Sequence, residues 1–153
     1  MFAWFNRKLD RRGVAAVEFA LVFPVLFAVF LGLVELGRAW TQSLALEKGV
    51  AAGGAFAARS ALTLSASATA DFENLVKRGS IDPSAPYLVA KWSDGSATLT
   101  ITTKTFTAQG VTKQVVHVDA SVPYDSLFPT LLGTIGLGQL RVDASYEQAQ
   151  IGS

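Results

Sequence analysis

The residues equipped for chemistry are few, and the most telling of them sits among apolar neighbours. Glu18 is the one charged residue in the 21 positions from Val14 to Val34. A carboxylate in a membrane-length apolar helix costs about 2.5–3.5 kcal/mol at the helix centre and less toward an end, so it marks a functional position by default. Just upstream, Arg7, Lys8, Arg11 and Arg12 crowd the segment that stops at Gly13, and Val14 opens the apolar run. Other candidates are poorer. His117, the single histidine, stands two residues from Asp119. The two read as a surface pair, because no serine signature accompanies them to build a nucleophilic triad. Gly133-Thr134-Ile135-Gly136-Leu137-Gly138 is glycine-rich, yet no lysine follows at phosphate-loop spacing, and it reads as an apolar connector or short helix. With no cysteine, one histidine and acids scattered singly, ligands for a metal site are lacking. No cofactor, no small-molecule substrate and no enzymatic activity are expected.

The elements that must hold Glu18 follow from length and charge. Twenty-one helical residues span about 30 Å, the thickness of a bilayer core. The first 13 residues carry a net charge of +3, which leaves −2 for the remaining 140. The positive-inside bias then predicts a cytoplasmic N-terminus and a translocated body. A basic tip on a near-neutral body argues against nucleic-acid binding, which requires a basic face on the folded domain. Trp40 stands where an interfacial aromatic is expected.

Helical character continues to about Ala61, with Pro24 kinking the helix inside the membrane. In the outer half, Leu44, Ala51, Ala55 and Ala58 recur at helix-like intervals. Gly49, Gly53 and Gly54 weaken that stretch by up to about 1 kcal/mol each relative to alanine, but they permit close packing. Glu35 and Arg38 are expected to form a surface ion pair at the helix exit. Ala28 and Gly32 form a weak small-xxx-small signal for helix association. Ser65 to Ala70 reads as a connector, and Asp71 to Arg78 as a short helix stopped by Gly79.

After Pro83 and Pro86 the period changes from 3.6 to 2. Strands are predicted over Tyr87–Trp92, Ala97–Phe106, Val111–Val122 and Arg141–Glu147, with a turn at Ala108-Gln109-Gly110. In the third, Val116, Val118, Ala120 and Val122 share one face and Lys113, His117, Asp119 and Ser121 the other, the alternation of an antiparallel sheet with one wet side. The expected fold class is α+β. A long N-terminal membrane-spanning helix continues into a small antiparallel sheet of about four strands, covered by the small-residue half of that helix.

Gly13-Val14-Ala15-Ala16-Val17-Glu18-Phe19 resembles the prepilin-peptidase site of the Flp/Tad, or type IVb, pilus system, and the run from Gly13 through Arg38 looks like a TadE-like pilus-assembly protein. Val122-Pro123-Tyr124 followed by Leu127-Phe128-Pro129-Thr130-Leu131-Leu132-Gly133 is more loosely similar to that family's segment before its last strand. The resemblance implies a minor pseudopilin with a pilin-like architecture. Its leader, residues 1–13, would be removed by prepilin peptidase between Gly13 and Val14. It implies an assembly role for Glu18 and Phe19, with Glu18 facing the freed amine of a neighbour's Val14. Implied partners are the inner membrane, the peptidase, other pilin or pseudopilin subunits and the assembly platform. The expected organisation is a cytoplasmic leader over 1–13, a transmembrane helix over 14–34, its extramembrane continuation over 35–62 and a periplasmic α+β domain over 63–153. Two other fates stay open on the residues alone. One is an uncleaved single-pass anchor carrying a periplasmic binding module, with Glu18 snorkelling to the interface. The other is release by ordinary signal peptidase after Gly37-Arg38-Ala39.

Overall fold

A computed structural model describes residues 11–60, 64–108 and 111–151. The chain divides into two compact units, one ending at Gly37 and the other beginning at Arg38. Helix α1, Arg11–Arg59, contributes to both and continues through Pro24.

In the first unit the helix is apolar all round. Its most apolar 18-residue window has a mean hydropathy of 2.5 and none of it is buried, so α1 is long and apolar enough to cross a bilayer. Phe19, Phe23 and Phe27 recur every four residues and ladder along one side, with ring centroids 5.4 and 5.7 Å apart.

In the second unit, α1 lies against α2 (Ala66–Arg78) and a three-stranded antiparallel sheet: β1 (Thr98–Ala108), β2 (Val111–Pro123) and β3 (Arg141–Ala149), in that spatial order. A short helix, α3 (Pro129–Thr134), lies in the β2–β3 connection, with proline in its first turn, where a missing N–H costs nothing. Along β2, Val116, Val118, Ala120 and Val122 are all buried, as their alternation predicts, and Val142 of β3 joins them. Phe72 and Val76 of α2, together with Val89 and Trp92, complete this core.

Three expectations are corrected. Tyr87–Trp92 is not a strand: Ala90–Ser93 is a 3-10 turn, Val89 and Trp92 are both buried, and the sheet has three strands. Helix α2 begins five residues before Asp71, because Ser65 caps it: its hydroxyl accepts the Ala68 N–H at 3.2 Å. Its end is as expected, with Gly79 in the left-handed region at φ 69° and its N–H bonded to the Leu75 carbonyl. Third, the buried side of α1 is only partly the expected one, for Ala58 is fully buried and Ala51 and Ala55 are half-buried. Leu46, Val50, Ala57 and Ala58 are buried, whereas Leu44 is 46% exposed.

The glycines explain how closely α1 is approached. A Cβ on Gly49 would overlap the Val76 carbonyl oxygen of α2, one on Gly53 the Val76 side chain, and one on Gly54 the Tyr146 ring of β3. These positions form a seam into which α2 and the sheet settle. At the end of α1, Ile151 N–H donates to the Ala58 carbonyl at 3.0 Å and the Gln150 side-chain amide to the Ser60 carbonyl at 3.1 Å, occupying acceptors that a helix terminus leaves open. The expected helix end at Ala61, the 62/63 boundary and the turn residues Gln109 and Gly110 lie outside the described residues.

Candidate functional site

Of the residues singled out from the sequence, Arg7 and Lys8 lie outside the described residues, and Arg11 and Arg12 open α1. Gly13, Val14, Glu18 and Phe19 all lie on that helix and are exposed. Val14 and Glu18 are four residues apart and therefore share a face. Nothing lies within 4 Å of where a Cβ on Gly13 would stand.

The second unit holds a constellation that sequence reasoning missed. Arg38 Nη2 lies 2.6 Å from Asp125 Oδ2, and its Nε donates to the Asp125 carbonyl at 2.7 Å. One turn on, the Gln42 side chain closes around the same residue: its amide donates to the Asp125 carbonyl at 2.9 Å, and its oxygen accepts the Asp125 N–H at 3.1 Å. Four polar bonds thus fasten the chain after β2 to the start of this stretch of α1. The exposed ion pair expected of Glu35 and Arg38 is corrected on its surroundings, since Arg38 is fastened to Asp125 and Glu35 is buried. Glu35 is itself 8% exposed, the one buried charged side chain among the described residues. Nothing local in the sequence marks the Arg38–Asp125 pair, since 87 residues separate its members.

The segment that follows Asp125 is the one that carries the looser of the two sequence resemblances. It closes on itself: Tyr124 N–H donates to the Leu140 carbonyl at 2.9 Å, Leu132 N–H to Phe128 at 3.1 Å and Leu137 N–H to Leu132 at 2.8 Å. Gly136, at φ 80°, makes the turn after α3. Leu127, Leu131, Ile135, Leu137 and Leu140 nonetheless remain 44–61% exposed.

The wet side of the sheet carries the remaining polar groups. His117 Nε2 is 2.6 Å from Asp119 Oδ2, as the sequence pair implied. Its Nδ1 lies 2.8 Å from Glu147 Oε1, directly across the β2–β3 register but without hydrogen-bond geometry. Nearby, Arg141 Nε donates to Ser121 Oγ at 2.7 Å, and that hydroxyl bonds Asp143. Such pairs tie strands together. Among the described residues no group of three or more His, Cys, Asp or Glu side chains is arranged to hold a metal ion. Two exposed turns carry perturbed acids. Asp82 is held below the ordinary aspartate range by the backbone and hydroxyl of Ser84, and Asp94 likewise by those of Ser96.

Residues 13–55 match the family model described as TadE-like protein. That span begins at Gly13, includes the whole apolar run and reaches the glycine seam. Neither a curated protein nor a solved structure matches the chain.

Proposed function

We propose that the chain is a minor pseudopilin, a reading supported by the match of residues 13–55 to TadE-like proteins. In this reading its leader is cut between Gly13 and Val14 by a prepilin peptidase at the cytoplasmic face. The observation that carries the reading is the coincidence of the family match with an apolar helix that begins at a basic segment and carries one acid, Glu18. Local physics supports the cut. Gly13 presents no side chain to the attacking site.

The work of the mature protein is non-covalent, and the chain is a substrate of an enzyme. Cleavage creates an α-ammonium on Val14, and Glu18 stands where such a cation from a neighbouring helix offsets its burial. The pair sets axial register between subunits more than it adds net stability. Residues beyond Arg38 present the surface read by pilin, by sister pseudopilins or by the assembly platform, with the body on the periplasmic side of the inner membrane.

The test is the N-terminal sequence and intact mass of the protein from membranes with and without the peptidase. A chain beginning at Val14 only when peptidase is present is expected. Met1 under both conditions would replace this reading with a fixed single-pass anchor, and Trp40 with ordinary secretion. Glu18→Gln is expected to lower the number of assembled pili while leaving the cleavage intact; an unchanged count would remove the assembly role of Glu18.

A further inference from the structure

We infer that the loop 126–140, between β2 and β3, is a second membrane attachment: it lies in the headgroup boundary and presents Leu127, Leu131 and Ile135 to lipid. The inference rests on reading α1 as a membrane span.

Three observations converge on a lipid surface. The first is position. Arg38 follows Val34, the end of the apolar run, by four residues, and four residues of chain reach at most about 14 Å. As helix they advance only about 6 Å, comparable to the depth of the interfacial layer on one side of a bilayer. Arg38 and Gln42 hold Asp125, so the loop is rooted at that level. Trp40, 67% exposed, stands between those two residues in the chain, as interfacial aromatics do.

The second is chemistry. The fifteen residues from Ser126 to Leu140 include no Asp, Glu, Lys or Arg, while Leu127, Leu131 and Ile135 are 50%, 46% and 61% exposed. Such an uncharged apolar surface is poorly suited to water and well suited to the boundary between headgroups and acyl chains. The third is the backbone. Entry into lipid is costly for amides without partners. Here the loop supplies its own: besides the bonds already described, Ile135 N–H donates to Leu131 at 3.3 Å and Gly136 N–H to Gly133 at 3.2 Å. The charge at its root is paired, since Asp125 meets Arg38.

The chain has no cysteine, so single-cysteine fluorescent probes report one site each. The full chain is reconstituted in phosphatidylcholine–phosphatidylglycerol vesicles containing nitroxide-labelled lipid, with probes at Phe27→Cys in the span, Leu131→Cys in the loop and Ile151→Cys. The last is bonded to α1 at Ala58, twenty residues beyond Arg38, and is 69% exposed. Ile135→Cys is a second loop probe should Leu131→Cys fold poorly. Quenching by shallow nitroxide is expected to be at least about threefold stronger at the loop than at Ile151, with Phe27 quenched most by deep nitroxide. A quenched Phe27 with a loop probe no more quenched than Ile151 overturns the inference and leaves the span intact. An unquenched Phe27 removes the span and the inference together. Cross-linking of loop cysteines between copies in place of lipid quenching assigns the surface to a second copy of the chain, which also overturns it.

Discussion

Replacing Gly49 by alanine tests the close approach of α1 and α2. In an ordinary helix interior the change is favourable by about 1 kcal/mol, because alanine restricts the unfolded chain and favours helix. At Gly49 the new methyl would overlap the Val76 carbonyl oxygen and come within 3.0 Å of Leu88 Cδ1. That oxygen belongs to the backbone of α2, and the Val76 side chain is fully buried. Relief therefore requires α2 to move as a body. Overpacking of this kind costs about 1–3 kcal/mol and at times more. Placing this site at the upper end and subtracting the helix gain leaves a net loss of about 1–2 kcal/mol. For a unit of this size that lowers Tm by about 4–8 °C. Gly54→Ala meets only the Tyr146 ring, a half-buried side chain and not backbone, so its loss is expected to be smaller than that at Gly49. Gly37→Ala meets nothing within 4 Å and leaves Tm unchanged or raises it. Thermal unfolding of the full chain in detergent micelles, followed by near-ultraviolet circular dichroism, ranks the three. A Gly49→Ala protein as stable as Gly37→Ala would refute the account of the seam.

The polar bonds on Asp125 are partly exposed, so Arg38→Gln is expected to cost about 1 kcal/mol after allowing for solvent screening and to speed protease cutting within 126–140. Arg38→Lys does not restore protection, since an ammonium lacks the fork that reaches both the carbonyl and the carboxylate; full rescue by lysine would contradict this geometry. Acid destabilises through Asp82 and Asp94. Their folded pKa values lie below the unfolded value of about 3.9, so their stabilisation is present above that pH and is lost as pH falls through the depressed values. The urea midpoints of wild type and Asp82→Asn/Asp94→Asn should therefore differ more at pH 7 than at pH 3, and an equal gap at both would count against the two turns.

Periodicity carried most of the fold and little of its packing. The alternation in β2 announced its buried face because a strand with one wet side must alternate, and the unbroken apolar run announced the first part of α1. Tyr87–Trp92 misled because Val89 and Trp92 are both apolar and three apart, a spacing that suits a turn of 3-10 helix as readily as part of a short strand. The Ser/Ala/Thr run at 65–70 looked like a linker, although Ser65 is an N-cap and the alanines after it are strong helix formers. In the outer half of α1 the glycines, which periodicity of apolar residues discounts, are what the core approaches most closely. The apolar run was legible locally. The fastening of Asp125 by Arg38 and Gln42 was not, because tertiary pairing over more than 80 residues leaves no trace in composition or period.

The bonds that finish α1 also order the events of folding. Each strand of the meander pairs with its neighbour in the chain, whereas the last acceptors of α1 wait for residues 150 and 151. Joining Gln150 to Ser60 closes 90 residues, an entropic cost roughly 1.5 kcal/mol above that of closing the 17-residue connection from β2 to β3. The sheet is therefore the early structure and the seating of the helix the late one. Until the final strand arrives, the outer half of α1 has no completed surface to rest on, and the Gly54 end of its glycine seam, which the Tyr146 ring covers, stays open.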